Sequence, residues 1–195
     1  KADFDKAISM DPKNYDRLIE IYEALADYGY REVGQEYLQN VLNTAKQLDA
    51  YDSGRIYYYL GDYQKAYLAL EEAKGKGGVD SYLYLGKAYA ATGDYNYASS
   101  VYSNYLSKQG PDAEIYNQLG LCEMAKKDYQ KALEAFQAGK QIEGNSLMQT
   151  LSFNEIVAYE YLQDYQKAAV LLKAYLQNYP DDQAAIREQQ FLSTR

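Results

Sequence analysis

Asp62-Tyr63-Gln64-Lys65-Ala66 returns unchanged at Asp128 to Ala132 and at Asp164 to Ala168, with a close variant at Asp94-Tyr95-Asn96-Tyr97-Ala98. The four aspartates lie 32, 34 and 36 residues apart, a period that marks a solenoid of stacked supersecondary units. Such an array presents an extended binding surface and ordinarily no reaction centre.

Working outward from the variant copy, Asp80 to Tyr105 reads as one unit. Tyr82, Leu85, Gly86 and Tyr89 fall at helical spacing, and after Gly93-Asp94 a second set follows at Tyr95, Ala98, Val101, Tyr102 and Tyr105. The spacing predicts two amphipathic helices. Gly93 suits the left-handed residue that ends the first, and Asp94 suits the cap that satisfies orphan N–H groups of the second. The small residues Gly86 and Ala98 are expected to let the paired helices approach closely. One pair cannot bury its own apolar stripes, so it must stack on the next.

Composition narrows the function. The 195 residues carry a formal net charge of -8, which disfavours nucleic acid because a phosphate backbone calls for clustered Lys and Arg. The longest apolar runs, such as Ile56 to Leu60, are too short to cross a bilayer. Histidine is absent and Cys122 is the single cysteine, so the commonest acid-base catalyst, an intramolecular disulfide and a Cys-rich zinc site are all excluded. No catalytic residue, metal ligand or cofactor site is expected. Tyrosine is the unusual entry, 25 Tyr against 4 Phe and no Trp, and each buried ring will need a partner for its hydroxyl.

The repeated residues resemble the tetratricopeptide repeat, whose 34-residue unit carries a large residue, Leu-Gly, an aromatic, Ala, an aromatic, Ala and Pro. The third repeat shows this as Tyr82, Leu85-Gly86, Tyr89, Ala98 and Tyr102. The fourth shows Tyr116, Leu119-Gly120, Ala132 and Phe136, with Glu123 where an aromatic belongs. The second carries Gly54, Tyr57, Ala66, Leu70 and Ala73. In the fifth, Tyr159, Ala168, Leu172 and Pro180 fit, but Ile156 replaces the small Gly and predicts a wider or shifted helix contact. The first is the most degenerate: Leu18, Ile21, Leu25, Gly34, Leu38 and Val41 stand in place, with Tyr22 instead of Gly.

The resemblance implies an all-α fold, a right-handed superhelical solenoid of antiparallel helix pairs forming a single domain over 1–195. Residues 1–14 would be a leading half-repeat, in which Phe4, Ala7 and Pro12 match only a second helix, so the chain is expected to begin inside a repeat cut from something longer. Five repeats follow at 15–46, 47–78, 79–112, 113–146 and 147–180. Residues 181–195 would form a capping helix, with Ile186 and Phe191 covering the last repeat and Asp182, Arg187, Glu188 and Gln190 facing water.

The recurring Asp-Tyr-x-x-Ala is read as cap and packing, and the core tyrosines Tyr57, Tyr89, Tyr102 and Tyr159 as packing. Cys122 reads as a small inert core residue. Lys74-Gly-Lys-Gly-Gly78 lacks the order of a phosphate loop and reads as an inter-repeat connection. Glu71-Glu72 and Asp181-Asp182 lack calcium-loop spacing and read as solvated faces.

In the tetratricopeptide family the first helix of each repeat lines a concave groove. Carried over by position, the resemblance puts Asp16, Ile19, Glu23, Ala26 and Asp27 there in the first repeat, and Tyr51, Arg55, Tyr58 and Tyr59 in the second. Asp80, Leu83, Lys87, Ala90 and Ala91 follow in the third, Glu114, Asn117, Leu121, Met124 and Ala125 in the fourth. The fifth contributes Thr150, Phe153, Val157, Glu160 and Tyr161. The expected peptide-binding set is Tyr51, Arg55, Tyr58, Tyr59, Leu83, Lys87, Asn117 and Leu121.

Arg55 and Lys87 occupy equivalent positions, and the residue pattern leaves two readings open: they grip a carboxylate or acidic side chain of a ligand, or they pair with Asp52, Asp80 or another local acid. The family's clamp for chaperone C-terminal carboxylates is not reproduced, since Tyr51, Tyr84 and Glu114 stand where it needs other residues.

The expected function is therefore a non-catalytic protein-interaction module that binds a peptide or protein segment of unidentified origin. The rival is an architectural or self-associating segment, a homo-oligomer among its forms, of a larger protein at the cell surface or elsewhere. Compartment stays open: cytoplasmic, or extracellular where a signal or lipid anchor lies upstream.

Overall fold

The computed structural model describes residues 2–74 and 78–195, and those residues form twelve α-helices and no strand. They fall into two compact units, Lys1–Ala88 and Tyr89–Arg195. The first holds α1 (Ala2–Met10), α2 (Tyr15–Asp27), α3 (Arg31–Thr44), α4 (Ala50–Leu60), α5 (Tyr63–Ala73) and most of α6 (Gly78–Ala91). The second holds α7 (Tyr95–Gln109), α8 (Ala113–Ala125), α9 (Tyr129–Lys140), α10 (Met148–Tyr161), α11 (Tyr165–Asn178) and α12 (Gln183–Leu192). In the first unit consecutive helices from α1 to α5 pack on one another, and in the second those from α7 to α12 do the same. The expected connection over Lys74 to Gly78 lies largely outside the described residues.

The recurring pentapeptide explains the shared turn. The carboxylates of Asp62, Asp94, Asp128 and Asp164 accept from the backbone N–H three residues on, at 3.3, 3.0, 3.3 and 3.0 Å, and so cap α5, α7, α9 and α11. Lys65 and Lys131 also reach back to their capping aspartates at 2.7 Å, and those hydrogen bonds hold the Asp62 and Asp128 carboxyls below their usual range. The alanine of every copy is fully buried.

Just before each cap the chain takes a left-handed residue: Gly61 at φ 81°, Gly93 at 85°, but Lys127 at 64° and Gln163 at 62°. The turn geometry is thus kept even where a side chain makes it costly, by about 1 kcal/mol. The first pair keeps the left-handed residue, Gly29 at φ 84°, and lacks only the cap, because Tyr30 precedes α3 and provides no side-chain hydrogen bond.

The small-residue contacts are real and differ between repeats. A Cβ on Gly54 would lie 2.5 Å from Leu70 Cγ, and one on Gly120 only 2.3 Å from Phe136 Cε1. In the first repeat the sizes are exchanged between helices: the bulky Tyr22 sits on α2, and Gly34 on α3 makes room, with a Cβ there meeting Tyr22 Cδ2 at 2.8 Å. Tyr22 is consequently core, packed with Leu18, Leu38 and Ile56. In the fifth repeat Ile156 is buried against Ala168 and Leu172, and α10 meets α11 less extensively than α8 meets α9. The expected wider contact is what a branched side chain in place of Gly produces.

Helix α12 covers the last pair with a different face from the one expected. Ala185 and Leu192 are its buried residues, while Phe191 remains 38% exposed. Asp182 does not simply face water: it caps α12 through Ala184 and Ala185 and accepts the Tyr175 hydroxyl at 2.5 Å. Asp182 thus ties the start of α12 to Tyr175 of α11, and Ala185 is the residue of that first turn that is buried. Upstream, α1 packs on α2, with Arg17 donating to the Ala7 carbonyl at 3.3 Å and Tyr37 to Asp5 at 2.6 Å.

Candidate functional face

In the first unit the expected groove residues of α2, α4 and α6 gather in one cluster of acids, tyrosines and cations. Arg55 is 7% exposed and fully engaged at its terminal nitrogens: Nη1 donates to Asp16 at 2.5 Å and Nη2 to Asp52 at 2.5 Å. Its guanidinium also lies 4.3 Å from the Tyr51 ring centroid. Burial works to lower the Arg55 pKa, but the two carboxylates outweigh it and raise it, so the cation is held firmly. The local-acid reading of Arg55 is therefore the geometry observed, and Asp16, from the preceding repeat, is the unexpected second partner. The Asp16 side chain is itself 76% exposed.

The tyrosines satisfy one another and the acids around them. Tyr59 donates to Glu23 at 2.5 Å and lies 3.0 Å from the Tyr84 hydroxyl, while Tyr51 donates to Asp80 at 3.4 Å. Tyr58 packs edge-on against Tyr59 and Tyr84 at 5.3 and 5.7 Å between centroids. Burial raises the pKa of Tyr51, Tyr58, Tyr59 and Tyr84, so all four are neutral donors at physiological pH. Lys87 Nζ sits 5.9 Å from the Tyr84 ring, and Leu83 is half-buried on the same helix. Beside this cluster a cavity of about 490 Å³ is bordered by Glu23, Asp27, Arg31, Tyr58, Tyr59 and Tyr63.

In the second unit, Asn117 is buried and accepts from Asn154 at 2.9 Å, another bond between successive first helices. Leu121, one turn on, is 42% exposed. Glu123, standing where the pattern wants an aromatic, is buried and pairs with Lys126 at 2.8 Å. Cys122 is buried, and burial pushes its thiol up to about 12, which keeps it protonated and unreactive. Glu155 is buried as well, receiving Lys140 at 2.5 Å and Gln137 at 2.9 Å.

Two contributors were not legible in advance. Tyr84 joins the tyrosine cluster across 25 residues of chain, and Glu188 of α12 meets Glu160 of α10. Nothing local in the sequence marks either encounter. Among the described residues no helix is long and apolar enough to cross a membrane, and no group of three or more His, Cys, Asp and Glu side chains is placed to hold a metal ion.

Two family models, both described as tetratricopeptide repeat, match residues 83–146 and 153–182. No curated protein matches the chain. Among solved structures it is similar to TTC0263, a thermophilic TPR protein of Thermus thermophilus, at 15% identity and TM-score 0.70 over 93% of this chain and 100% of that one. It is similar to YrrB, solved as a TPR protein with an unusual peptide-binding site, at 20% identity and TM-score 0.62 over 96% of this chain and 97% of that one. A third similarity is to the second TPR domain of human RPAP3 in complex with an HSP70 peptide, at 15% identity and TM-score 0.51 over 56% of this chain and 90% of that one. Residues 83–146 and 153–182 are thus tetratricopeptide repeats by family model, and the fold of the described residues is that of solved tetratricopeptide-repeat proteins.

Proposed function

We propose that the chain is a non-catalytic interaction module that takes a peptide or protein segment on first helices of its repeats. Taken by itself, the first unit offers Tyr51, Arg55, Tyr58, Tyr59, Leu83 and Lys87; taken by itself, the second offers Asn117 and Leu121. The observation that carries this reading is the tetratricopeptide fold itself, in company with neighbours described with a peptide-binding site and with a bound peptide. Fold analogy is its warrant, and the side chains add the chemistry.

Arg55, oriented by Asp52 and Tyr51, meets an exposed carboxylate at Asp16, and an acidic group of a ligand would exchange with that carboxylate at little desolvation cost. The Tyr51 and Tyr59 hydroxyls already donate to Asp80 and Glu23, so their oxygens are offered as acceptors to a peptide N–H, and Leu121 offers apolar area. Catalysis forms no part of the proposal, because the buried acids Glu123 and Glu155 are engaged by lysines and the thiol is held protonated.

Selection from a random peptide display library tests it. Peptides selected on the intact chain should bind Lys87→Glu and Leu121→Asp variants at least tenfold more weakly, with melting temperature unchanged. Undiminished binding to both variants would remove these residues from the assignment.

A further inference from the structure

At the end of α10 an acidic and aromatic cleft of about 600 Å³ opens between that helix, the start of α11 and α12, around the Glu160–Glu188 encounter noted above. Val157, Tyr161, Tyr165 and Phe191 form its walls, with Glu160 and Glu188 on opposite sides. Tyr161 and Phe191 are both substantially exposed, and Tyr129 stacks on Tyr161 with centroids 4.9 Å apart, fixing that wall from behind.

The two carboxyls are the anomaly. Glu160 Oε1 is buried and meets no donor among the described residues, and its neighbour is a second carboxyl, Glu188. The buried acids Glu123 and Glu155 are each met by a lysine, although Glu123 Oε2 is left without a donor as Glu160 Oε1 is; what sets Glu160 apart is that the charged group beside it is another acid. A hydrogen bond between Glu160 and Glu188 requires one of them to hold a proton; burial first, then Glu188, pushes the Glu160 carboxyl up to about 8. The remaining titratable groups lining the cleft are the phenols of Tyr161 and Tyr165, and the cation Arg195 stands outside that lining. At the rim the ring faces already attract that cation. The Arg195 guanidinium lies 4.6 Å from the Phe191 centroid and 5.8 Å from that of Tyr165.

From this arrangement we infer that the cleft is a binding site for one basic side chain, an arginine or lysine of a protein partner, its cation between the Glu160 and Glu188 carboxylates and its stem against Tyr161, Tyr165 and Phe191. The guest cation replaces the proton that Glu160 holds, and that proton leaves to solvent. Binding is therefore linked to release of one proton and strengthens as pH rises towards about 8. This deepens the reading of the chain as an interaction module, yet it rests on none of the residues assigned to the face built around Arg55.

The test is a titration of the isotope-labelled chain with triarginine amide, followed by amide chemical shifts, with tricitrulline amide as the uncharged control. Saturable shifts are expected at Tyr161, Glu188 and Phe191 with triarginine only, and affinity should rise about tenfold from pH 6 to pH 7 as one proton is displaced. The double variant Glu160→Gln with Glu188→Gln should lose at least tenfold in affinity while remaining folded, since it removes a repulsive pair. Equal shifts with tricitrulline, shifts confined to other acidic surfaces, a pH-independent affinity, or full binding by the double variant would each overturn the site. None of those outcomes touches the peptide selection, which reads Lys87 and Leu121.

Discussion

Arg55 in the first unit and Glu160 in the second both lie on first helices of their repeats, partly withdrawn from water, and they meet opposite electrostatic surroundings. Arg55 is gripped by Asp16 and Asp52 and stacked near Tyr51, whereas Glu160 faces another carboxyl. Equivalent helices of the repeat thus carry a charge met by two opposite charges in one place, with only its Nε unpartnered, and a carboxyl met by another carboxyl in the other. At the first a ligand must exchange with an existing partner; at the second a cation would answer a charge that has none.

The largest test breaks the satisfied side. Arg55→Met leaves Asp16 and Asp52 without their cation and should cost about 3 kcal/mol of stability by urea denaturation, moderated because Asp16 can turn to water. A loss below about 0.5 kcal/mol would mean that the pair is ornamental, as many exposed ion pairs are.

Gly120→Ala probes the scaffold beneath the second unit's side of the comparison. Its new Cβ would collide with the Phe136 ring, so a loss of about 2 kcal/mol is expected, read as a fall in melting temperature. An unchanged melting temperature would show that α8 and α9 can separate freely, and the tight contact would lose its meaning.

Tyr59→Phe removes the donor to Glu23 and the contact with the Tyr84 hydroxyl, for about 1 kcal/mol. The check is a double-mutant cycle with Glu23→Gln, in which strictly additive effects would deny the bond.

The smallest effect has the opposite sign. Because the folded-state pKa of Glu160 lies above its ordinary value of 4.5, the folded chain holds more protons than the unfolded one between there and about 8. That contribution is fully present below the ordinary value and is lost as pH rises through the window. Glu188→Gln should relieve it, flattening the decline and stabilising the chain at pH 8 by less than about 1 kcal/mol, the pair being partly solvated. A decline as steep as in the parent chain would mean that some other group titrates there.

Much of the fold was open to reading because its determinants are local. Asp94 caps the helix it begins, Gly93 is left-handed beside it and Ala98 is buried one turn on, all within six residues. Lys127 and Gln163 show the limit of that reading: they take the left-handed position that glycine holds elsewhere, and packing of the adjoining helices outweighs their preference. In the first repeat, Tyr22 in place of Gly looked like decay, but Gly34 compensates on the facing helix, and only the close approach between the two reveals it. For α12 the apolar pattern favoured Ile186 and Phe191, while the helix, tied to α11 through Asp182 and Tyr175, buries Ala185 and Leu192.

The candidate face was legible as a set of positions and not as a set of bonds. The resemblance to the tetratricopeptide repeat assigns Tyr51, Arg55, Tyr58, Tyr59 and Lys87 to first helices, since a helical offset repeats with the unit. It does not say that Arg55 reaches 39 residues back to Asp16, that Tyr59 shares its hydroxyl with Tyr84, or that Glu188 approaches Glu160. By itself the sequence determined the all-helical repeat, its caps and turns and the residues that pack in each, because those follow from interactions within one turn or one helix pair. Only the tertiary structure decided which charges are answered and which are not, because that depends on side chains tens of residues apart meeting where one helix pair stacks on the next.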